Sequence, residues 1–321
     1  MLNEEEKSLL APQTIQYKIS DRDKERETTL MKEIISFFGN HKGSPKEAYN
    51  DLISQTPIQD GTELKEVNID TIKGWWCIPA QAAPDKVILY VHGGAYALGS
   101  AKAFRGLGSK IASLTGMALF LVEYPLSDEA SFPAAPNAVM NAYQWLLTQG
   151  AKSIVVMGDS AGGGLTLATL QQLAATPEIT QPAGAVVFSP WTDLTLTGAS
   201  WTDSAISDAL INYDTLKESA AAYAGDIDIK TPGISPLYGS MKGLPPLLIQ
   251  VSANEHLLDD SVNLANAAAK EGIQVRLEIW EAMHHVFQND FEHLECGKDA
   301  LEKASEFVKD IFKDYYFQTK L

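Results

Sequence analysis

Ser160 stands in Gly158-Asp159-Ser160-Ala161-Gly162, directly after the apolar run Ile154-Val155-Val156-Met157 and before a segment of helical period. A serine in G-x-S-x-G at a strand-to-helix turn is a candidate nucleophile, because flanking glycines let neighbouring backbone pass close while the hydroxyl projects above a sheet. A serine alcohol is a weak nucleophile at neutral pH and needs a base to take its proton. His285, in Met283-His284-His285-Val286-Phe287, is the chosen base, since imidazole titrates in the right range and an apolar step that could begin a helix follows it. His284 is read as a surface or packing residue. The base in turn needs an acid to orient it. After the run Leu247-Leu248-Ile249-Gln250-Val251, the next residues offer Glu255, Asp259 and Asp260. Glu255 is preferred, because the two aspartates sit where the next helix begins and suit its N-terminus. Serine, acid and histidine then follow one another along the chain in that order.

Acyl transfer passes through a tetrahedral intermediate bearing an oxyanion, and preorganised backbone donors aimed at it are worth several kcal/mol, about 2.7–4 for loss of one oxyanion-hole donor in a studied case. His92-Gly93-Gly94-Ala95-Tyr96 follows the buried-type run Val87-Ile88-Leu89-Tyr90-Val91, and its glycines allow close approach. The amides of Gly93, Gly94 and Ala161 are therefore expected to form the oxyanion hole, the last helped by the start of its helix. Tyr96 and Trp191 are expected to line a substrate pocket, with Trp201 and Tyr213 as further candidates, although each equally suits a core. The chemistry calls for no cofactor. His284, His285 and His293 lack the HExxH-like spacing of a metal hydrolase, and Cys77 and Cys296 show no CxxC or Cys/His pattern. Neither a catalytic metal nor a structural zinc is expected, and both thiols are read as buried and reduced.

These residues need elements to position them. Short β-branched runs around residues 64–69, 72–78, 87–91, 118–122, 154–157, 185–188, 247–251 and 275–279 read as strands. Between the later ones lie helix-period stripes such as Leu167, Leu170, Ala174 and Val262, Ala265, Ala269, and a terminal helix carries Leu301, Ala304, Val308 and Ile311. Alternating strands and helices predict a mostly parallel sheet covered on both faces. Residues 1–56 read as one or two helices outside the sheet, with an apolar stripe at Leu30, Ile34, Ile35 and Phe38. From Trp191 to Leu244 helix signals occur but no strand, and this insertion together with the N-terminal helices is expected to form a lid.

Composition narrows the classes. An apolar fraction of 45% with 21% charged residues is that of a folded globular chain, which excludes a disordered or fibrous one. Twenty-five basic against 41 acidic residues give a net charge of -16, which repels a phosphate backbone or an anionic membrane surface, so no nucleic-acid partner is expected. No run approaches the roughly 18 apolar residues of a membrane span, and the acidic Met1–Lys7 stretch lacks the basic start of a secretory signal. The simplest address is the cytoplasm.

His92-Gly93-Gly94-Ala95-Tyr96, Phe132-Pro133-Ala134-Ala135, Gly158-Asp159-Ser160-Ala161-Gly162-Gly163, Ser189-Pro190-Trp191-Thr192-Asp193-Leu194, Ser235-Pro236-Leu237-Tyr238, Leu244-Pro245-Pro246 and Met283-His284-His285-Val286-Phe287 occur in that order. The series resembles the hormone-sensitive-lipase-like branch of the α/β-hydrolase superfamily, a group with many bacterial carboxylesterases, and the likeness covers nearly everything after residue 60. It implies an α/β-hydrolase fold, with a mostly parallel eight-stranded central sheet flanked by helices and a helical cap. Residues 1–56 would be the N-terminal part of that cap, and 57–321 the catalytic domain with a cap insertion at about 191–244. The resemblance implies Ser160 as nucleophile, His285 as base, and Gly93, Gly94 and Ala161 as oxyanion donors. It also implies a homodimer, for which the late strand Val275–Ile279, read as a sheet edge, would supply unpaired backbone. Three departures stand out: Ala95 where a third glycine is common, Glu255 where the acid is usually aspartate, and Tyr124-Pro125-Leu126 without the usual arginine.

The expected activity is that of a serine carboxylesterase hydrolysing short- to medium-chain acyl esters through an acyl-enzyme, its partner being a small-molecule ester. A lactone hydrolase or a deacetylase with the same triad is the alternative. A non-catalytic ligand receptor on this scaffold, as the plant gibberellin receptors are, is disfavoured because Ser160, Glu255 and His285 are all retained. A prolyl-oligopeptidase-type peptidase would need a propeller domain for which 321 residues leave no room.

Overall fold

The structure, a computed structural model, describes residues 11–318; the acidic stretch at Met1–Lys7 lies outside them. The apolar runs of the sequence form the middle of a single sheet. In chain order its strands are β1 (Gln13–Tyr17), β2 (Thr62–Ile69), β3 (Ile72–Pro79), β4 (Ala83–Val91), β5 (Met117–Val122), β6 (Ser153–Asp159), β7 (Gly184–Phe188), β8 (Leu247–Ser252) and β9 (Val275–Trp280). Across the sheet they lie β1-β9-β8-β7-β6-β4-β5-β3-β2. The pairings β2–β3 and β3–β5 are antiparallel, so β3 alone runs against the other strands; from β5 to β1 every pairing is parallel.

Side chains alternate between two cores, as the period of two in a strand requires. Leu89, Val91, Val156, Val187 and Ile249 face one core, while Ile88, Tyr90, Val155, Met157, Val186 and Leu248 face the other. The first core is closed by helices α4 (Ala134–Thr148), α5 (Ser160–Ala174) and α7 (Leu258–Lys270), and the second by α3 (Arg105–Thr115) and α8 (Glu295–Gln318). Burial on both faces explains why the central strands are unbroken runs of Val, Ile and Leu. The Trp191–Leu244 insertion holds one α-helix, α6 (Tyr213–Ala224), two 3-10 turns and no strand. Cys77 and Cys296 are both buried free thiols. Among the described residues no helix is long and apolar enough to cross a membrane.

The N-terminal segment departs from expectation. Residues 13–17 are not outside the sheet but add a ninth strand to the eight expected, with β1 pairing parallel to β9 from Gln13–Arg276 to Tyr17–Trp280. Gln-Thr-Ile-Gln-Tyr has little apolar signal of its own, and its strand exists because β9 offers a partner. That pairing also corrects the reading of Val275–Ile279 as a sheet edge, and the edge argument for a homodimer goes with it. Two helices follow, α1 (Asp21–Asn40), capped by Ser20, and α2 (Pro45–Ile53), opened by a Ser44/Glu47 capping box. The apolar stripe of α1 divides: Leu30 and Ile34 pack on Trp280, Met283 and Phe287, while Ile35 and Phe38 are 54% and 38% exposed.

Candidate active site

Asp159 ends β6 and Ser160 begins α5 with φ 51, a left-handed conformation that a non-glycine residue adopts only when its surroundings impose it. The imposition is tight packing beneath the turn. A Cβ on Gly162 would lie 2.1 Å from the Val91 carbonyl oxygen and 2.4 Å from that of His92, so only glycine lets α5 start this close to the end of β4. The Ser160 carbonyl accepts from the Trp191 amide at 2.9 Å, which joins the elbow to the start of the insertion.

Glu255 and His285 meet from loops following β8 and β9. His285 Nδ1 lies 2.5 Å from Glu255 Oε2, and Glu255 is fully buried. The other carboxylate oxygen, Oε1, accepts from the Ser189 hydroxyl at 2.7 Å and the Ser252 amide at 2.6 Å. Burial opposes a charge on His285, but the Glu255 carboxylate beside it, with lesser help from Asp208 and Asp159, raises its pKa above the ordinary histidine value. Its second nitrogen, Nε2, is buried with no hydrogen-bond partner among the described residues. Ser252 also ties the two loops together, its hydroxyl donating to the Met283 carbonyl at 2.6 Å and accepting from the Met283 amide at 3.0 Å. Sequence reasoning missed Ser189 and Ser252 as supports of the acid; serines at strand ends carry no signal of what they will face.

The loop after β4 corrects one assignment. The Gly93 amide donates to Asp159 Oδ1 at 3.0 Å, beside the Tyr90 hydroxyl at 2.8 Å, so it has no hydrogen left for an oxyanion. The amides of Gly94 and Ala95, by contrast, have no acceptor among the described residues, and both residues are part-exposed where Gly93 is buried. Ala161, in the first turn of α5, also presents an amide with no helical partner. The donor set compatible with the structure is Gly94, Ala95 and Ala161. The clue to Ala95 was its place as the third residue after His92, where a glycine is common. Asp159 is wholly buried, and burial pushes its carboxyl up to about 6 against those two hydrogen bonds. His92 is a support: burial lowers its pKa to about 4, and the neutral ring stacks on Tyr124 with Nδ1 at 2.8 Å from the Gly93 carbonyl.

Tyr96 and Trp191 are corrected from pocket lining to core. They are 1% and 0% exposed, pack against each other, and Tyr96 stacks on Tyr223 of α6 at 3.8 Å between ring centroids. They fasten the insertion to the loop after β4. Trp201 stacks on His256 and meets Tyr213 edge-on. Asp259 and Asp260 lie on α7 and also hold the insertion: Asp259 accepts from the Ser200 amide, and Asp260 from those of Thr192 and Asp193 at 2.7 Å. Neither has a contact with His285 among the hydrogen bonds of the described residues. His284 is not on the surface; it is buried, with both ring nitrogens on carboxylates.

Residues 88–289 match a family described by the alpha/beta hydrolase fold. An acetyl-hydrolase of Streptomyces hygroscopicus is 40% identical over 238 residues, 73% of this chain and 78% of that one. An esterase of Acinetobacter venetianus is 37% identical over 266 residues, 82% of this chain and 86% of that one. Among solved structures the chain is similar to an esterase from the bacterial hormone-sensitive lipase family, with a TM-score of 0.84 at 33% identity, covering 89% of this chain and 98% of that one.

Proposed function

The chain belongs to the alpha/beta-hydrolase family, in its bacterial hormone-sensitive-lipase branch, and is a carboxylic ester hydrolase; from that premise we propose that it is a serine esterase working through a Ser160–His285–Glu255 triad and an acyl-enzyme. The observation that carries this reading is the buried Glu255–His285 pair, whose geometry leaves the other imidazole nitrogen for a proton acceptor's role.

In this reading the Ser160 oxygen attacks the ester carbonyl while His285 Nε2 takes the hydroxyl proton, and Glu255 stabilises the imidazolium that forms. Negative charge on the carbonyl oxygen is met by the amides of Gly94, Ala95 and Ala161, which are aimed before the reaction begins. The imidazolium returns its proton to the departing alkoxide, leaving Ser160 acylated. Water, deprotonated by His285, then releases the acid and restores the serine.

The substrate is a short- to medium-chain acyl ester. α1, α2 and the 191–244 insertion act as a cap: Leu210 of the insertion packs against the cluster that holds Leu30 and Ile34, and Tyr223 packs on Tyr96. A roofed site favours small acyl groups, each added CH₂ contributing about 0.8 kcal/mol until the pocket ends. The likeness to an acetyl-hydrolase supports the short end of that range. Initial rates on aryl esters of graded acyl length, with a lactone and an emulsified long-chain triglyceride alongside, test it. The expected profile of kcat/KM rises and then falls, with a maximum at short or medium chains. Faster turnover of the emulsified triglyceride than of soluble butyrate esters would refute the closed pocket.

A further inference from the structure

His284, next to the proposed base, makes an arrangement that the triad does not use. Its Nδ1 lies 2.9 Å from Glu27 Oε2 and its Nε2 lies 3.0 Å from Asp290 Oδ2. A neutral imidazole has one N–H, and an ionised carboxylate can only accept, so both contacts are satisfied together only by an imidazolium. Burial works against that charge, but the hydrogen bonds and charges of Asp290 and Glu27 prevail and raise the pKa to about 10. Other ionisable groups on the neighbouring elements have partners of their own. Asp23 accepts from the amides of Glu295 and Cys296 at the start of α8, Lys24 pairs with Glu281, and burial with the neighbouring acids keeps the Cys296 thiol protonated.

The three partners come from two places. Glu27 lies on α1, whereas His284 and Asp290 belong to the segment between β9 and α8 that carries His285. That segment includes left-handed backbone at Ala282 and Val286, with φ 52 and 56, neither of them glycine, so its path is held from outside. On the sheet side the fasteners are Ser252 on Met283, Ser189 on Val286 and Glu255 on His285. On the opposite side they are the packing of Leu30 and Ile34 on Met283 and Phe287, and the Glu27–His284 contact. A buried ion group is a weak source of stability, because desolvation offsets attraction; its attested use is to select one geometry over others.

We propose that Glu27, His284 and Asp290 form a charged clamp through which the N-terminal helix α1 sets the position of the catalytic histidine, so that Glu27 and His284 are positioning residues for ester hydrolysis. The proposal rests on the reading of His285 as the base. It makes the N-terminal segment a working part of the catalytic centre, in addition to a roof over it.

The test compares Glu27→Gln, His284→Gln and His285→Ala in the full chain, with folding checked by circular dichroism. Misplacing a catalytic group by about 1 Å can lower turnover on the order of a hundredfold. Glu27→Gln is expected to lower kcat roughly ten- to a hundredfold on a soluble butyrate ester while KM stays within about twofold. The acid limb of its kcat profile should move to lower pH, because a misplaced His285 loses part of the Glu255 interaction that raises its pKa; simple loss of stability would leave that midpoint in place. Nitrogen NMR of the wild-type ring should find His284 doubly protonated at pH 8. A folded Glu27→Gln enzyme with kcat within about twofold of wild type and an unshifted acid limb overturns the clamp, as does a neutral His284 at pH 8. If His284→Gln does not fold, the Glu27 variant and the NMR measurement still decide. An inactive His285→Ala beside a fully active Glu27→Gln would sink the clamp alone, whereas an active His285→Ala would sink the triad and the clamp with it.

Discussion

Ser160 and His285 are held in place by two different kinds of construction. Around Ser160 the constraint is steric: Gly162 lies under the β4 backbone, and the elbow follows from one strand, one turn and one helix. Around His285 the constraint is polar and assembled from afar, with Glu255, Ser252, Ser189 and Glu27 reaching the same loop from β7, β8 and the N-terminal helix. A sterically built turn depends on glycines that can be seen in a short window. A polar, long-range assembly depends on partners whose loss acts at a distance, and on the charge state of each of them. The two halves of the site should therefore fail differently.

The largest effect tests the elbow. Ser160→Ala should lower kcat by at least about a thousandfold without changing the fold, since binding and oxyanion donors alone remain. A rate above that residue, measured on a butyrate ester, would remove the nucleophile from the scheme. The next effect tests the assembled half. Glu255→Gln should lower kcat by about 10³- to 10⁴-fold, because only an ionised acid both orients and charges the imidazole. Asp259→Asn, whose carboxylate holds the Ser200 amide, should stay within about threefold, as expected for a residue outside the reacting atoms. A reversal of that order would return the acid's role to Asp259.

A third pair of variants examines the seam between the halves. Asp159 is adjacent to Ser160, yet its carboxylate holds the Gly93 amide and with it the start of the loop that carries the next two amides. Asp159→Ala should lower kcat about tenfold to a hundredfold with little change in KM, whereas Asp159→Asn, which keeps an acceptor for both donors, should retain most of the activity. Equal loss in the two would show that charge, not the acceptor, matters there.

The smallest effect is on stability. The folded pKa of His284 is raised to about 10, above the unfolded histidine value, so its contribution is complete below about pH 6.5 and is lost as pH rises through about 10. Buried Asp159 and Asp260, raised to about 6 and about 7, act in the same direction between pH 4 and 7, because the folded state binds the proton more tightly than the unfolded one. Thermal midpoints should accordingly fall from pH 6.5 to 10 in the wild type by more than in folded Glu27→Gln, in which the clamp is already weakened. Parallel curves for the two proteins would contradict a charged His284.

Legibility in the sequence followed the same division. The elbow at Ser160, the five buried strands from β4 to β8 and the insertion without strands could be read from short windows, because glycine spacing and apolar period are local consequences of packing. Glu255 could be placed by its distance past a strand. The task expected of the Gly93 amide could not be tested within a short window, since the acceptor that occupies it stands 66 residues later. Tyr96 and Trp191 have the composition of pocket residues but are packed against each other and against α6. β1 stayed hidden because Gln, Thr and Tyr make a strand only where another strand supplies the hydrogen bonds.

The sequence by itself determined the reaction class, the mostly parallel α/β sheet and the candidate residues Ser160, Glu255 and His285, each of them marked by neighbours a few residues apart. Tertiary structure alone decided that the Gly93 amide is occupied by Asp159, that His284 sits between two carboxylates while His285 faces Glu255, and that the N-terminal segment completes the sheet beside the loop of His285. The physical reason is that hydrogen-bond saturation and charge state belong to the partners a group meets in space. His284 meets Glu27 across 257 residues of chain and Asp290 at its other nitrogen, while His285 hydrogen-bonds a single carboxylate and has no partner for its second nitrogen among the described residues.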